Sequence, residues 1–374
     1  MKFHQLGRIS GIGAIVMAGA LARAESAPSG TAQLVGAANA FLATLTDAQR
    51  GKVLFAFDDN QQRARWSNFP TGFVRRAGVS MGELDEKQRG AEMDLLRAVL
   101  SEKGFEKVQE IMEGDEVLKQ TDGGGGPGGP GGGPKGGFGG EPRGGPGGPG
   151  GGRGGGQMFG KDLYYISFLG KPSEKEPWML QFGGHHLALN VTISGEHGVL
   201  TPSLTGAQPA LYQENGKTVR PLGRESDKAF ALLNALDEGQ RKQAILNYRV
   251  ADLVLGPGQD GKKIQPEGLK ASAMNEKQRE MLLDLISEWA GIVNDSYASV
   301  RMAEIKAGLD DTWFAWSGPT TVEAGKNGRA YYRIQGPKLV IEYAPQRLGG
   351  DLAMHVHTIY RDPTNDYGEA FTGK

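Results

Sequence analysis

At 374 residues and 38% hydrophobic composition, the chain can bury a full core, as one large domain or two ordinary ones. A formal charge of −1 gives no basic bias that would draw nucleic acid, and zero cysteines exclude disulfides, thiolate metal sites and cysteine nucleophiles. Any metal ligand must therefore be His, Asp, Glu or a backbone oxygen.

Lys2 and Arg8 lead into an apolar run from Ile9 to Leu21, followed by Ala22-Arg23-Ala24. This is the form of a secretory signal peptide over residues 1–24 with an A-x-A cleavage site. Its loss would remove three basic residues and no acid, moving the formal charge from −1 to −4. The run is too short to span a bilayer, and no other stretch approaches the roughly eighteen apolar residues that spanning needs. The expectation is a periplasmic or extracellular protein without a transmembrane anchor.

An internal repeat organises the rest of the chain. Leu42 to Arg50 matches Leu233 to Arg241 at a separation of 191 positions, and Glu86-Lys87-Gln88-Arg89 matches Glu276-Lys277-Gln278-Arg279 at 190. Thr46, Asp85, Asp237 and Asn275 each precede a glutamine by three residues, which predicts four helices opened by capping boxes. Apolar stripes are expected at Met93, Leu96 and Leu100, and at Leu283, Ile286 and Ala290. Each helical module is followed by aromatic, strand-forming sequence: Leu163–Gly170 and Trp178–Phe182, then Thr312–Gly318 and Tyr331–Gln335.

The expected fold is α+β, with two tandem pseudo-symmetric helix-then-strand halves sharing a core. The first half comprises a helical module at 25–122, a flexible Gly/Pro-rich insert at 123–156 and a strand module at 157–222. The second spans 223–374. The glycines do not form a phosphate turn between strand and helix, so no nucleotide cofactor is expected.

Four of the six histidines fall in two runs, Gly183-Gly184-His185-His186-Leu187 and Met354-His355-Val356-His357-Thr358. On a strand His355 and His357 share one face and can grip one ion through neutral ring nitrogens. With Leu187, Leu189, Val191 and Ile193 buried, His186 takes the other face as the better third ligand, while a bulge at the glycine pair would turn His185 inward instead. A divalent ion is the implied cofactor, with zinc, copper and iron all compatible with such ligands. Asp362 and Asp366 are the nearest carboxylates to act as base, with Arg361 beside them. His197 reads as a surface turn residue. The pattern does not continue as the His-x-His-x-Asp-His of metallo-lactamases, since Thr358-Ile359-Tyr360 comes next.

Phe57-Asp58-Asp59 with Arg65-Trp66 and Pro70, Gly184 to Asn190, Trp316-Ser317-Gly318, Tyr331 to Pro337 and His355 to Gly368 together resemble a family of exported proteins of unknown function, domain-of-unknown-function family thirty-five hundred. The resemblance runs from about residue 40 to the end and brings no established reaction. It adds Asp58, Asp59, Arg65 and Trp66 as secondary candidates; Arg65 beside Trp66 can hold a carboxylate or stack a sugar, or simply form an ion pair on an aromatic. Two readings stand: an exported metal-dependent enzyme, hydrolytic or oxidative, acting on a small molecule; and a non-catalytic envelope or extracellular module, with a structural histidine cluster, that binds a glycan or a partner protein.

Overall fold

In the computed structural model, which describes Met1 and residues 30–122, 158–347 and 351–372, helices begin where the sequence places their caps. Apart from Met1, the signal peptide expected at 1–24 lies outside the described residues, as does the Gly/Pro tract at 123–156. The earlier helices are α1 (Gly30–Thr44), α2 (Asp47–Val53), α3 (Asn60–Arg63), α4 (Glu86–Val99) and α5 (Glu102–Asp122). The later ones are α6 (Gly223–Ala235), α7 (Glu238–Ala244), α8 (Glu276–Ala290), α9 (Asp295–Ala307) and α10 (Glu369–Thr372).

Thr46, Asp85, Asp237 and Asn275 form complete capping boxes at α2, α4, α7 and α8. The cap glutamines also bond to each other: Gln49 and Gln88 exchange side-chain hydrogen bonds of 3.2 and 2.9 Å, and Gln240 and Gln278 exchange bonds of 3.0 and 2.8 Å. Each box therefore locks a short helix to a long one.

The strands are β1 (Leu54–Phe55), β2 (Val79–Ser80), β3 (Tyr165–Leu169), β4 (Trp178–Gly184), β5 (Leu187–Ser194), β6 (His197–Leu200) and β7 (Ser203–Ala207). They continue as β8 (Tyr212–Glu214), β9 (Lys217–Val219), β10 (Leu269–Lys270), β11 (Trp313–Ser317), β12 (Tyr331–Gly336), β13 (Leu339–Pro345) and β14 (Val356–Arg361). Twelve of them make one sheet in the order β1-β3-β4-β5-β7-β14-β13-β12-β11-β10, with β2 on β3 and β6 on β5. Only the β1–β3 pair runs parallel among these. The fold is thus mixed α+β, as expected.

Strand alternation sends two apolar sets toward the helices. Ile166, Phe168, Leu180, Phe182, Leu189 and Val191 pack with Phe41, Leu95, Leu96 and Val108, while Phe314, Trp316, Tyr332, Ile341 and Val356 pack with Leu233, Leu285 and Trp289. Of the predicted helix stripes, Leu96, Leu100, Ile286 and Ala290 are buried, whereas Met93 and Leu283 are only partly so, and Leu95 and Val99 in α4 and Leu282, Leu285 and Trp289 in α8 are enclosed as well. Each of these helices meets another helix as well as the sheet, so its buried arc is wider than a single stripe.

The opposite sheet face carries a smaller cluster of Trp66, Leu169, Met179, Ala188, Leu204, Ile359 and Tyr367, with Phe55, Phe57 and Leu253 against it. Two connections supply its cover, the one between α2 and β2 and the one between α7 and β10. Glu342 anchors the second through the amides of Val254 and Leu255 at 2.9 and 2.8 Å.

The N- and C-terminal parts of the sheet meet where β7 pairs antiparallel with β14, His357 opposite Gly206 and Thr358 opposite Thr205. The α4–α5 corner meets the α8–α9 corner through Ser101 N–H to Ile292 O at 3.0 Å and Asn294 N–H to Val99 O at 2.8 Å. Lys107 of α5 is buried between Glu225 of α6 and Glu288 of α8. Removing one partner of such a cluster strands a charge, which typically costs about 3–5 kcal/mol.

The seventh residue of α4 is Glu92 and that of α8 is Leu282, both fully buried. Neither Glu92 oxygen has a hydrogen-bond partner. Burial pushes its carboxyl from an ordinary 4.5 up to about 8, against the opposing pull of Arg89. The folded chain holds this proton more tightly than the unfolded one, so the contribution is complete below the unfolded pKa and is lost as pH rises through about 8. Replacement Glu92→Leu is expected to raise Tm by about 3 °C or more at pH 8, with a smaller gain at pH 5. A gain independent of pH in thermal unfolding would show that Glu92 is not the titrating group.

Candidate metal centre

The β4–β5 hairpin turns on two residues, His185 and His186, because Gly184 still pairs with Leu187. His186 takes a left-handed φ of 59°. A non-glycine residue there costs on the order of 1 kcal/mol and persists only where its surroundings hold it. They do so by three bonds: His186 N–H to Asn68 O at 3.2 Å, Gly206 N–H to His186 O at 2.7 Å, and Tyr164 O–H to His185 O at 2.9 Å. Arg76 adds donation to Gly184 O at 3.0 Å while also binding the carbonyls of Ser67 and Phe69 at 2.6 and 2.7 Å. It thereby fastens the 67–69 segment to the hairpin; burial holds its guanidinium down to about 10.

The turn gives the two adjacent rings different partners. His185 Nδ1 lies 2.6 Å from Asp115 Oδ1 on α5, on the helix side, and its ring lies against His186 with centroids 3.7 Å apart. His186 instead reaches the face that carries His355 and His357. His355 ends the short 352–354 turn, and His357 is the second residue of β14.

The three Nε2 atoms form a nearly equilateral triangle: His186 to His355 3.0 Å, His186 to His357 3.1 Å, and His355 to His357 3.1 Å. All three residues are buried, and they form the one group of three or more possible ligands found among the described residues. Burial, reinforced by the His185, His357 and His355 rings, holds His186 well below its usual pKa. Burial also lowers His357, with Asp252 opposing. Both rings are thus in the neutral form that metal ions require.

This triangle has no satisfactory protonation pattern of its own. A neutral Nε2 either carries a proton and donates, or carries a lone pair and accepts. Three nitrogens sharing two roles must include a matching pair, so at least one edge sets donor against donor or lone pair against lone pair. A cation gives all three lone pairs a common partner. At bonds of about 2.0–2.1 Å an ion in the plane of three nitrogens would need edges of roughly 3.6 Å. The observed edges of 3.0 to 3.1 Å are somewhat shorter, so His186, His355 and His357 would hold such an ion with a small adjustment of the rings.

Two loop residues approach His357 from the two covering connections. The Asn68 amide nitrogen lies 3.3 Å from both Nδ1 and Nε2, and Asp252 Oδ1 lies 3.6 Å from Nδ1. Asp252 is itself held by Gln346 at 2.8 Å, and Gln346 N–H donates to His355 O at 2.7 Å. Sequence reading missed both. Asn68 sits inside the Trp66 to Pro70 stretch that signalled the family, whereas nothing around Asp252 marks it. Gly206 was also missed: a Cβ there would lie 3.2 Å from both Cβ and Cδ2 of His186 and 2.9 Å from Val356 O.

The other candidates lie elsewhere. Asp362 pairs with Arg301 at 2.8 Å and Asp366 with Arg361 at 2.8 Å. Arg361 also binds Asp260 and the carbonyls of Leu255 and Gly256, and stands over Trp66. Along β14, Arg361 is four residues from His357, about 13 Å. Burial raises Asp366 to about 6 despite Arg361. Trp66 is buried and donates to Tyr367 Oη at 2.8 Å, while Arg65 is exposed. Asp59 caps α3 and Asp58 is exposed. His197 is exposed and stacks on Phe371.

The fold and this centre define a class: a mixed α+β protein with a buried three-histidine group at the seam of its sheet. The chain belongs to the family described as Protein of unknown function (DUF3500), whose model matches residues 27–369. Comparison with curated proteins and with solved structures found no match in either. No described helix is long and apolar enough to cross a membrane.

Replacement Gly206→Val is expected to displace the His186 ring and weaken zinc retention by about tenfold or more, within the range that disturbed ligand support usually gives. Equilibrium dialysis against zinc checks this, and unchanged retention would show that the ring has room to spare.

Proposed function

We propose that this is an exported metal-dependent enzyme in which His186, His355 and His357 hold one divalent ion. The observation that carries the reading is the Nε2 triangle, whose three edges no neutral protonation pattern can satisfy. Three imidazoles are a ligand set that catalytic zinc uses, and copper or iron accept the same donors. The ion would supply Lewis acidity or redox chemistry toward a small molecule. Asp252, 3.6 Å from Nδ1, and the Asn68 amide nitrogen, 3.3 Å from both ring nitrogens, would position the His357 imidazole.

The location of the triangle supports reading the chain as a duplicated unit. Gln49 reaches Glu83 O and Gln88 reaches Thr44 O in the first part; Gln240 reaches Ala273 O and Gln278 reaches Ala235 O in the second. The same side chains thus make the same bonds at matching positions. On this reading one half gives His186 and the other gives His355 and His357. Export rests on the sequence of residues 1–24.

Elemental analysis of protein purified without an affinity tag is expected to find close to one equivalent of a transition metal. The double variant His355→Ala/His357→Ala and the single variant His186→Ala should lose it, and His185→Ala should keep it. Metal-free parent protein that folds normally would refute the centre and favour a non-catalytic module with a structural histidine cluster.

A further inference from the structure

On the same sheet face as the triangle lies a narrow recess lined in part by Arg249, Arg329, Arg347, Tyr331 and Ser317. The segments that line it adjoin those that support the centre. Ala251 in its lining precedes Asp252, Pro345 pairs with Val356 across β13 and β14, and Leu352 opens the turn that delivers His355. Arg347 follows Gln346, the residue bonded both to Asp252 and to the backbone of His355.

Three guanidinium groups around one recess need an explanation in a chain of net charge −1. Arg329 pairs with Asp351 at 3.0 Å, whereas Arg249 and Arg347 form no ion pair among the described residues. The uncharged polar side chains of the wall are already occupied: Ser317 Oγ accepts from Val250 N–H and donates to Tyr248 O, and Tyr331 Oη donates to Glu342. What the recess offers a ligand is therefore chiefly positive charge in planar, bidentate form, which matches an oxyanion.

We infer that Arg249, Arg347 and Arg329 form an anion subsite that holds the carboxylate or phosphate of the substrate beside the histidine-bound ion. The inference rests on the metal reading for its catalytic meaning, but the subsite itself is testable without it. On that reading the substrate class is a small organic acid or phosphate ester, anchored by its anion.

The experiment is a calorimetric titration of the full chain with inorganic phosphate and, separately, with acetate, in low salt. The parent is expected to bind at least one of them with a Kd in the millimolar range or tighter, and the tighter of the two names the oxyanion. Arg249→Gln/Arg347→Gln should weaken that binding by about tenfold or more. The charge-matched control Lys277→Gln/Lys306→Gln, on exposed helix positions, should change it less than about twofold. Equal binding by parent and arginine variant, or no binding at about 50 mM of either anion, overturns the subsite. Repeating the titration on metal-stripped and cobalt-loaded protein separates the two readings. Loss of any cobalt absorption would sink the metal centre and leave the arginine effect to be read by calorimetry, while cobalt binding without an arginine effect would sink the subsite alone.

Discussion

The centre depends on one backbone pairing, the antiparallel ladder between β7 and β14. It sets His357 opposite Gly206, and Gly206 in turn bonds to the carbonyl of His186. Without that ladder the hairpin carrying His186 and the strand carrying His357 belong to separate parts of the sheet. A register slip of one residue would send His357 to the helix side, where Val356 and Tyr360 now pack. The polar pair Thr205 and Thr358, bonded at 2.7 Å with Trp289 donating to Thr358, resists such a slip.

The two sheet faces divide the labour. The helix side carries both large apolar clusters and the buried Lys107 network, so most of the folding free energy is placed there. The other face is covered by extended loops held down by polar side chains, Arg76 under one and Glu342, Arg361 and Ser317 under the other. Glu342 accepts from Tyr331 at 2.6 Å as well as from two loop amides. The sheet, its β4–β5 turn and the short turn before β14 thus set the positions of the three imidazoles, while Asn68 and Asp252 reach His357 from loops.

Much of this was legible in the sequence, for definite reasons. Capping boxes are local, so Thr46, Asp85, Asp237 and Asn275 announced their helices. Strand parity placed His355 and His357 together, and the scarcity of histidine elsewhere drew attention to residues whose rings the fold brings together. The choice of His186 over His185 followed from alternation, although the structure reaches it through a left-handed turn residue and not through a regular strand. What the sequence hid is long-range. Asn68 lies 289 residues from His357, and His185 meets Asp115 across 70 residues. The family stretch from His355 to Gly368 also carried acids that the fold ties to Arg301 and Arg361, since motif membership cannot distinguish a ligand from the scaffold beside it.

The wide spacing of the three imidazoles has a further implication. His186 is separated from His355 and His357 by 169 and 171 residues, so an ion bound to all three ties off a very long stretch of chain. In chain-entropy terms a covalent tie across a loop of about 100 residues withholds roughly 4–5 kcal/mol from the unfolded ensemble. A protein without cysteine cannot obtain that restraint from sulfur. The same ion that would carry out chemistry would thus act as the molecule's cross-link, and sequestering it would loosen the whole chain as well as silence the site.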